Sequence, residues 1–135
     1  MKASVSYQEL QRLIVEQTKQ PISFEFVDNK TIKVLYDLHL GFMKKKVSID
    51  LKVLDIVGTD LRVSYSAGFG LEGMVGMALN MAKDKMPAGL IEEQPYHELL
   101  VHLDKIDKIK PVFERIDVKD INMLAEALEV VGDFK

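Results

Sequence analysis

Cysteine is absent from the 135 residues, which excludes disulfide frameworks, thiolate nucleophiles and cysteine-ligated zinc or iron–sulfur centres. There is no excess of basic charge either. Eighteen Lys and Arg stand against 21 Asp and Glu, a net charge of −3, so no global field draws the chain to nucleic acid. Long apolar runs are missing too. The longest, Phe69 to Met81, is broken by Glu72 and three glycines, too interrupted to span a bilayer. The opening residues, MKASVSYQEL, contain no apolar core of signal-peptide length. A cytoplasmic protein that is not transmembrane is therefore expected.

The motifs of catalysis are also scarce. His97 and His102 are five residues apart, which places them on opposite faces if they share a strand, and His39 falls on a polar strand face. No H-x-H or H-E-x-x-H pattern occurs, so no metal site is expected. Ser4, Ser6, Ser23, Ser48, Ser64 and Ser66 sit in cap or strand contexts, none in a G-x-S-x-G elbow. The adjacent acids Glu92-Glu93, and Asp104 with Asp107, read as solvated loop carboxylates rather than a dyad of perturbed acidity. Neither a catalytic role nor a cofactor is expected. Lys44-Lys45-Lys46 is the one basic run. It reads as solvated lysines in a turn between strands, with weak attraction to an anionic membrane surface as the functional counterpart.

What is present is a globular balance, 47% hydrophobic and 29% charged, in a chain of the length of one domain, residues 1–135. Ser6 and Glu9 match a capping box. Leu10, Leu13 and Ile14 repeat at helical spacing behind it, predicting an amphipathic helix from Tyr7 to about Lys19, stopped by Pro21. The apolar period then changes from 3.6 to 2. Ile22, Phe24 and Phe26 form one alternating set, and Ile32, Val34, Tyr36, Leu38 and Leu40 a second. Val47, Ile49, Leu51 and Val53 form the third, and Leu61, Val63 and Tyr65 the fourth, with turns at Asp28-Asn29-Lys30, Gly41 and Gly58-Thr59-Asp60. The alternation slips at Leu54-Asp55-Ile56, the mark of a bulge or a strand end. Connections this short allow only an antiparallel meander with one apolar face. From Leu71 a wide apolar stripe through Met74, Val75, Ala78, Leu79, Ala82 and Met86 predicts a buried central helix wrapped by that sheet. Leu99, Val101 and Leu103 predict a further strand, and Ile116 with Val118 another beyond Pro111. Residues 122–134 favour helix by propensity, yet Leu128, Val130 and Val131 also fit a final strand. The fold class is α+β, with one to three strands after the central helix.

Gly68-Phe69-Gly70-Leu71-Glu72-Gly73 matches the dinucleotide pattern G-x-G-x-x-G between a strand and a helix, with Glu92 and Glu93 about 20 residues on. The strand before it alternates in polarity, and the upstream chain is a meander rather than a βαβ series. Nucleotide binding at Gly68–Gly73 is thus the remote reading, against a simple bend from sheet to helix. Met74, Met77, Met81 and Met86 cluster on the apolar helix. Methionine adapts to irregular apolar shapes, so the helix either fills a core or lines a site for a variable apolar ligand.

The order of elements resembles a known family. SYQELQRLIVEQ leads to ISFEF-VDNK-TIKVLYDLHL, KVSIDLKVLDI and DLRVSYSAGFG. A helix ending in KDKMP follows, then YHELLVHLDKI, FERIDVKDINML and ALEVVGDF. This layout is similar to the small bacterial relatives of tubular lipid-binding proteins, of the bactericidal/permeability-increasing type. The resemblance covers nearly the whole chain through hydropathy, turns and element order. It implies a long curved sheet around the central helix, a strand from Leu128 to Phe134, and lipid held in the helix–sheet seam. The corresponding lining is Phe24, Phe26, Tyr36, Leu38, Leu71, Met74, Val75, Leu79 and Met81. A unit this short implies a homodimer, paired end to end, to enclose a ligand. Non-enzymatic binding of a lipid or other apolar small molecule is the expected function. The alternative is a protein-interaction or homodimerisation module with a fully packed core.

Overall fold

Two-residue periodicity from Ile22 onward becomes four consecutive antiparallel strands: β2 (Ile22–Asp28), β3 (Thr31–Leu40), β4 (Met43–Val57) and β5 (Asp60–Ala67). The computed structural model describes residues 1–18, 22–67, 88–107 and 109–135, with the backbone alone for Gln17, Thr18, Leu38, His39, Leu40, Met43 and Lys45. The chain is α+β with antiparallel sheets. The expected central helix, Leu71 to Met86, and the Gly68–Gly73 turn lie outside the described residues.

The larger sheet has the order β2-β3-β4-β5-β7-β6, where β6 is Ile91–Gln94 and β7 is Glu98–His102. A smaller sheet, β1-β9-β8, joins Lys2–Ser6 to Ala127–Phe134 and Ile116–Met123. The sequence reading missed β1 and β6, and it allowed at most three strands after the central helix where the structure has four. KASVS alternates over only two apolar residues, one of them alanine, and IEEQ has a single apolar residue, so neither gives a strong strand signal. Their partners hold them instead. The residues of β1 pair with Val131 through Ala127, and those of β6 pair with Val101 through Glu98. The tail is a strand hairpin, despite the helix propensity of its Ala, Leu, Met and Glu residues. Pairing and burial override a preference of tenths of a kcal/mol per residue.

The helix α1 (Tyr7–Thr18) begins where the capping signal places it, with the Glu9 backbone N–H donating to Ser6 Oγ at 3.1 Å. Tyr7, at its first position, is buried and donates its hydroxyl to the Leu124 carbonyl at 2.5 Å. Burial pushes the Tyr7 phenol pKa up. A second helix, α2 (Lys110–Arg115), carries Pro111 in its first turn, where a missing N–H costs nothing. The proline that reads as an interruption in the sequence is therefore a helix start.

Bulges keep the apolar face continuous. In β4, Val53 pairs with Val63 and Asp55 with Arg62, leaving Leu54 unpaired. Ile56, opposite Leu61, thereby returns to the face that Val53 occupies. The slip legible in the sequence is this bulge. In β8, Lys119 does the same between Val118 and Asp120. The main core lies between the sheets and joins Ile32, Val53, Val63 and Leu99 of the larger one to Val118, Ile121 and Met123 of β8, with Tyr7 and Phe113. A second cluster, Val47, Ile49 and Ala67, continues the same face with Tyr36 and Tyr65 packed on it.

Candidate functional site

Register decides which of the expected lining residues come together. Ile22 lies opposite Tyr36, Phe24 opposite Val34, and Phe26 opposite Ile32, so Phe24, Phe26 and Tyr36 share the inner face of the larger sheet. Leu38 falls on that face by register, opposite Lys45. Leu71, Met74, Val75, Leu79 and Met81 lie outside the described residues.

The three placed aromatics have different surroundings. Phe24 packs on the main core, its ring centroid 6.3 Å from that of Tyr7, so it belongs to the structural interior. Phe26 is 45% exposed at the far end of β2, an edge strand. Tyr36 lies with the second cluster. Its hydroxyl is shielded from solvent and meets no hydrogen-bond partner among the described residues, and burial pushes its pKa up. A phenol in that position is a polar group on an apolar wall formed with Ile22, Val47 and Ile49.

The sequence reading did not single out Ile22, Val47, Ile49, Tyr65 or Ala67 for this wall. Their alternation was visible, but only the register puts them beside Tyr36. A cleft of about 240 Å³ opens at the same end. Gln11 of α1, Ile22, Ser23, Leu35, Tyr36, Asp37 and Lys46 line it. That is somewhat below the roughly 300–1,000 Å³ of ordinary small-molecule sites, and Ser23, Asp37 and Lys46 occupy strand positions opposite in face to Tyr36.

On the outer face, Asp60 pairs with His102 across β5 and β7. His102 Nδ1 lies 2.7 Å from Asp60 Oδ1, and Nε2 lies 3.2 Å from Glu92 Oε2. Glu92 is thus a strand residue holding an imidazole, not the solvated loop acid expected. His97 is not on the same strand either. It sits in the turn before β7 with φ 58° and stacks on Tyr65 at 5.3 Å between centroids. Both ring nitrogens of His102 face carboxylates, an arrangement that stabilises imidazolium rather than ligating a metal. No group of three or more potential metal ligands is found among the described residues. The His102 pKa is raised, first by the Asp60 bond and then by the Glu92 bond.

The stability this contributes is complete below the unfolded histidine value of about 6.5. It is lost as pH rises through the higher folded value. Denaturation midpoints are expected to fall between mildly acidic and mildly alkaline pH, and the fall to shrink in His102→Gln. An equal decline in both proteins would show that the clasp adds nothing.

β5, which precedes the glycine run, lies between antiparallel neighbours β4 and β7. A dinucleotide-binding first strand lies in a parallel sheet. Among the described residues no helix is long and apolar enough to cross a membrane. No family model, curated protein or solved structure matches this chain.

Proposed function

We propose that this chain binds an apolar, lipid-like small molecule against the inner face of its larger sheet and does not transform it. The observation that carries this reading is the Tyr36 hydroxyl, shielded and, among the described residues, unpartnered on a wall of Ile22, Val47 and Ile49. Sites for such ligands are mostly apolar, with a few polar groups that fix orientation. An unsatisfied buried hydroxyl costs about 1–3 kcal/mol, and a ligand carbonyl or hydroxyl would recover part of that.

Organic extraction of the purified protein, followed by mass spectrometry beside native mass spectrometry of the intact form, tests the reading. A stoichiometric apolar molecule is expected. Tyr36→Phe sharpens the test, because it should act in opposite directions on two measurements. Removing an unsatisfied hydroxyl should raise the stability of stripped protein by about 1 kcal/mol. It should also weaken the ligand by roughly two- to tenfold, the worth of one hydrogen bond. A destabilised Tyr36→Phe would mean that the hydroxyl has a structural partner. The competing reading is a packed module that acts as a homodimer. Phe26 and Val27, exposed side by side on the β2 edge, favour it. A clean apo mass in a stable dimer would establish that reading instead.

A further inference from the structure

Among the described residues the hairpin of β3 and β4 extends beyond the strands paired to it. Pairing to β2 ends at Ile22–Tyr36 and pairing to β5 ends at Ile49–Ala67, while β3 and β4 stay paired out to Leu40–Met43. Residues 37–48 are therefore a two-stranded arm among the described residues. At about 3.3 Å per residue it reaches roughly 13 Å past β2. Its turn is Gly41-Phe42, with Gly41 at φ 64°, the backbone that a two-residue hairpin requires of its first central position. That turn sets Phe42 at the apex, fully exposed.

The charge behind the apex is of one sign. Residues 38–49, LHLGFMKKKVSI, contain Lys44, Lys45 and Lys46 and no carboxylate, in a chain whose net charge is −3. Lys44 and Lys46 are exposed. The nearest acid on the arm, Asp37, pairs with Lys44 at 3.3 Å and leaves that lysine 61% exposed.

An apolar side chain held out in water at the tip of a hairpin, with cations just behind it, matches a membrane interface. The ring enters the acyl boundary while the ammonium groups meet anionic headgroups, and the lysine stems extend toward them. We infer that the β3–β4 arm docks this protein on a membrane surface rich in anionic phospholipid, with Phe42 as the inserted residue and the exposed Lys44 and Lys46 as the electrostatic collar. The arm's root adjoins the cleft at Tyr36 and Lys46. Docking does not depend on whether the inner face holds a ligand.

The chain has no tryptophan, so Phe42→Trp supplies a single reporter at an exposed site. Its emission should shift to the blue on phosphatidylcholine vesicles containing phosphatidylserine, and not on phosphatidylcholine alone. In flotation, Phe42→Ser should lose binding. Changing Lys44 and Lys46 together to glutamine should weaken it by roughly thirtyfold, the effect of removing two lysines from near an anionic surface. Added salt should do the same. Circular dichroism of the variants should match the parent, since Phe42 is fully exposed. Full binding by Phe42→Ser, or equal binding to both vesicle types, would overturn the inference. A blue shift that follows protein concentration without vesicles would also overturn it, and would identify the arm as a contact between copies. Extracting a ligand from the protein bears on neither result.

Discussion

Replacing Gly132 with alanine is expected to destabilise the protein by about 2 kcal/mol, and with valine by more than about 3 kcal/mol. Gly132 is buried inside β9 with an ordinary negative φ, so backbone strain is not the reason. Space is. A Cβ at this position would lie 2.5 Å from the Asp117 carbonyl oxygen and 3.1 Å from both Val118 Cα and Ile116 Cγ2. Two of those three atoms are backbone of the adjoining strand, which cannot rotate away as a side chain would. Gly132 pairs with Val118 immediately before the bulge at Lys119. It also exchanges backbone hydrogen bonds with Met1 on the other side, so β9 is held from both directions. The usual gain in strand propensity from Gly to Ala, a fraction of the ~1 kcal/mol span of that scale, is too small to offset the clash. Chemical denaturation of Gly132→Ala beside the parent measures the effect. An unchanged midpoint would mean that β9 shifts freely against β8.

Lys30→Met is expected to cost about 2–3 kcal/mol and to do so by loosening one sheet from the other. Lys30 sits in the turn between β2 and β3 and reaches across to β8. Its Nζ donates to Asp120 Oδ1 at 2.6 Å, Asn122 Oδ1 at 2.8 Å and the Ile121 carbonyl at 3.0 Å. Beside it, the Met123 N–H donates to the Asn29 carbonyl at 2.7 Å. A hydrogen bond to a charged group is worth about 1.5–3 kcal/mol. The exposure of the pair, 29% for Lys30 and 51% for Asp120, keeps the total toward one such bond rather than three.

The acid limb provides an independent check. The Lys30 hydrogen bond is the largest cause holding Asp120 below the usual carboxylate value. Its contribution to stability is therefore present above the unfolded carboxylate pKa and lost as pH falls through the folded one. Lys30→Met should lose less stability on acidification than the parent does. A double-mutant cycle with Asp120→Asn separates the ion pair from the two bonds to oxygen acceptors beside it. A Lys30→Met midpoint indistinguishable from the parent would show that apolar packing alone joins the sheets.

Legibility differed from element to element for reasons of range. Period and capping are local, so α1 and the strands β2 to β5 could be read from residues within a few positions of one another. The β4 bulge was also local, since Leu54-Asp55-Ile56 breaks the alternation in plain view. β1 and β6 were not legible because their sequences say little, and what makes them strands is a partner far along the chain. The candidate site divides in the same way. That Phe24, Phe26 and Tyr36 share a face follows from period 2. That Phe24 is packed against Tyr7 while the Tyr36 hydroxyl has no partner among the described residues does not, because both depend on contacts that only the folded chain makes.

The sequence by itself determined the class of chemistry open to this protein. Without cysteine, no arrangement of the chain brings a disulfide, a thiolate nucleophile or a cysteine-ligated metal into being. It also determined the antiparallel meander and the sidedness of its sheet, because short turns and two-residue alternation leave no other solution. Tertiary structure alone decided the rest. It closed the smaller sheet from the two ends of the chain, placed Gly132 where only a hydrogen side chain fits, and carried Lys30 from one sheet to the other. It also carried the β3–β4 pairing past that of β2 and β5 among the described residues. Each of these depends on contacts between residues distant in sequence, whose loop-closure cost and packing gain are set by the whole chain and by no window of it.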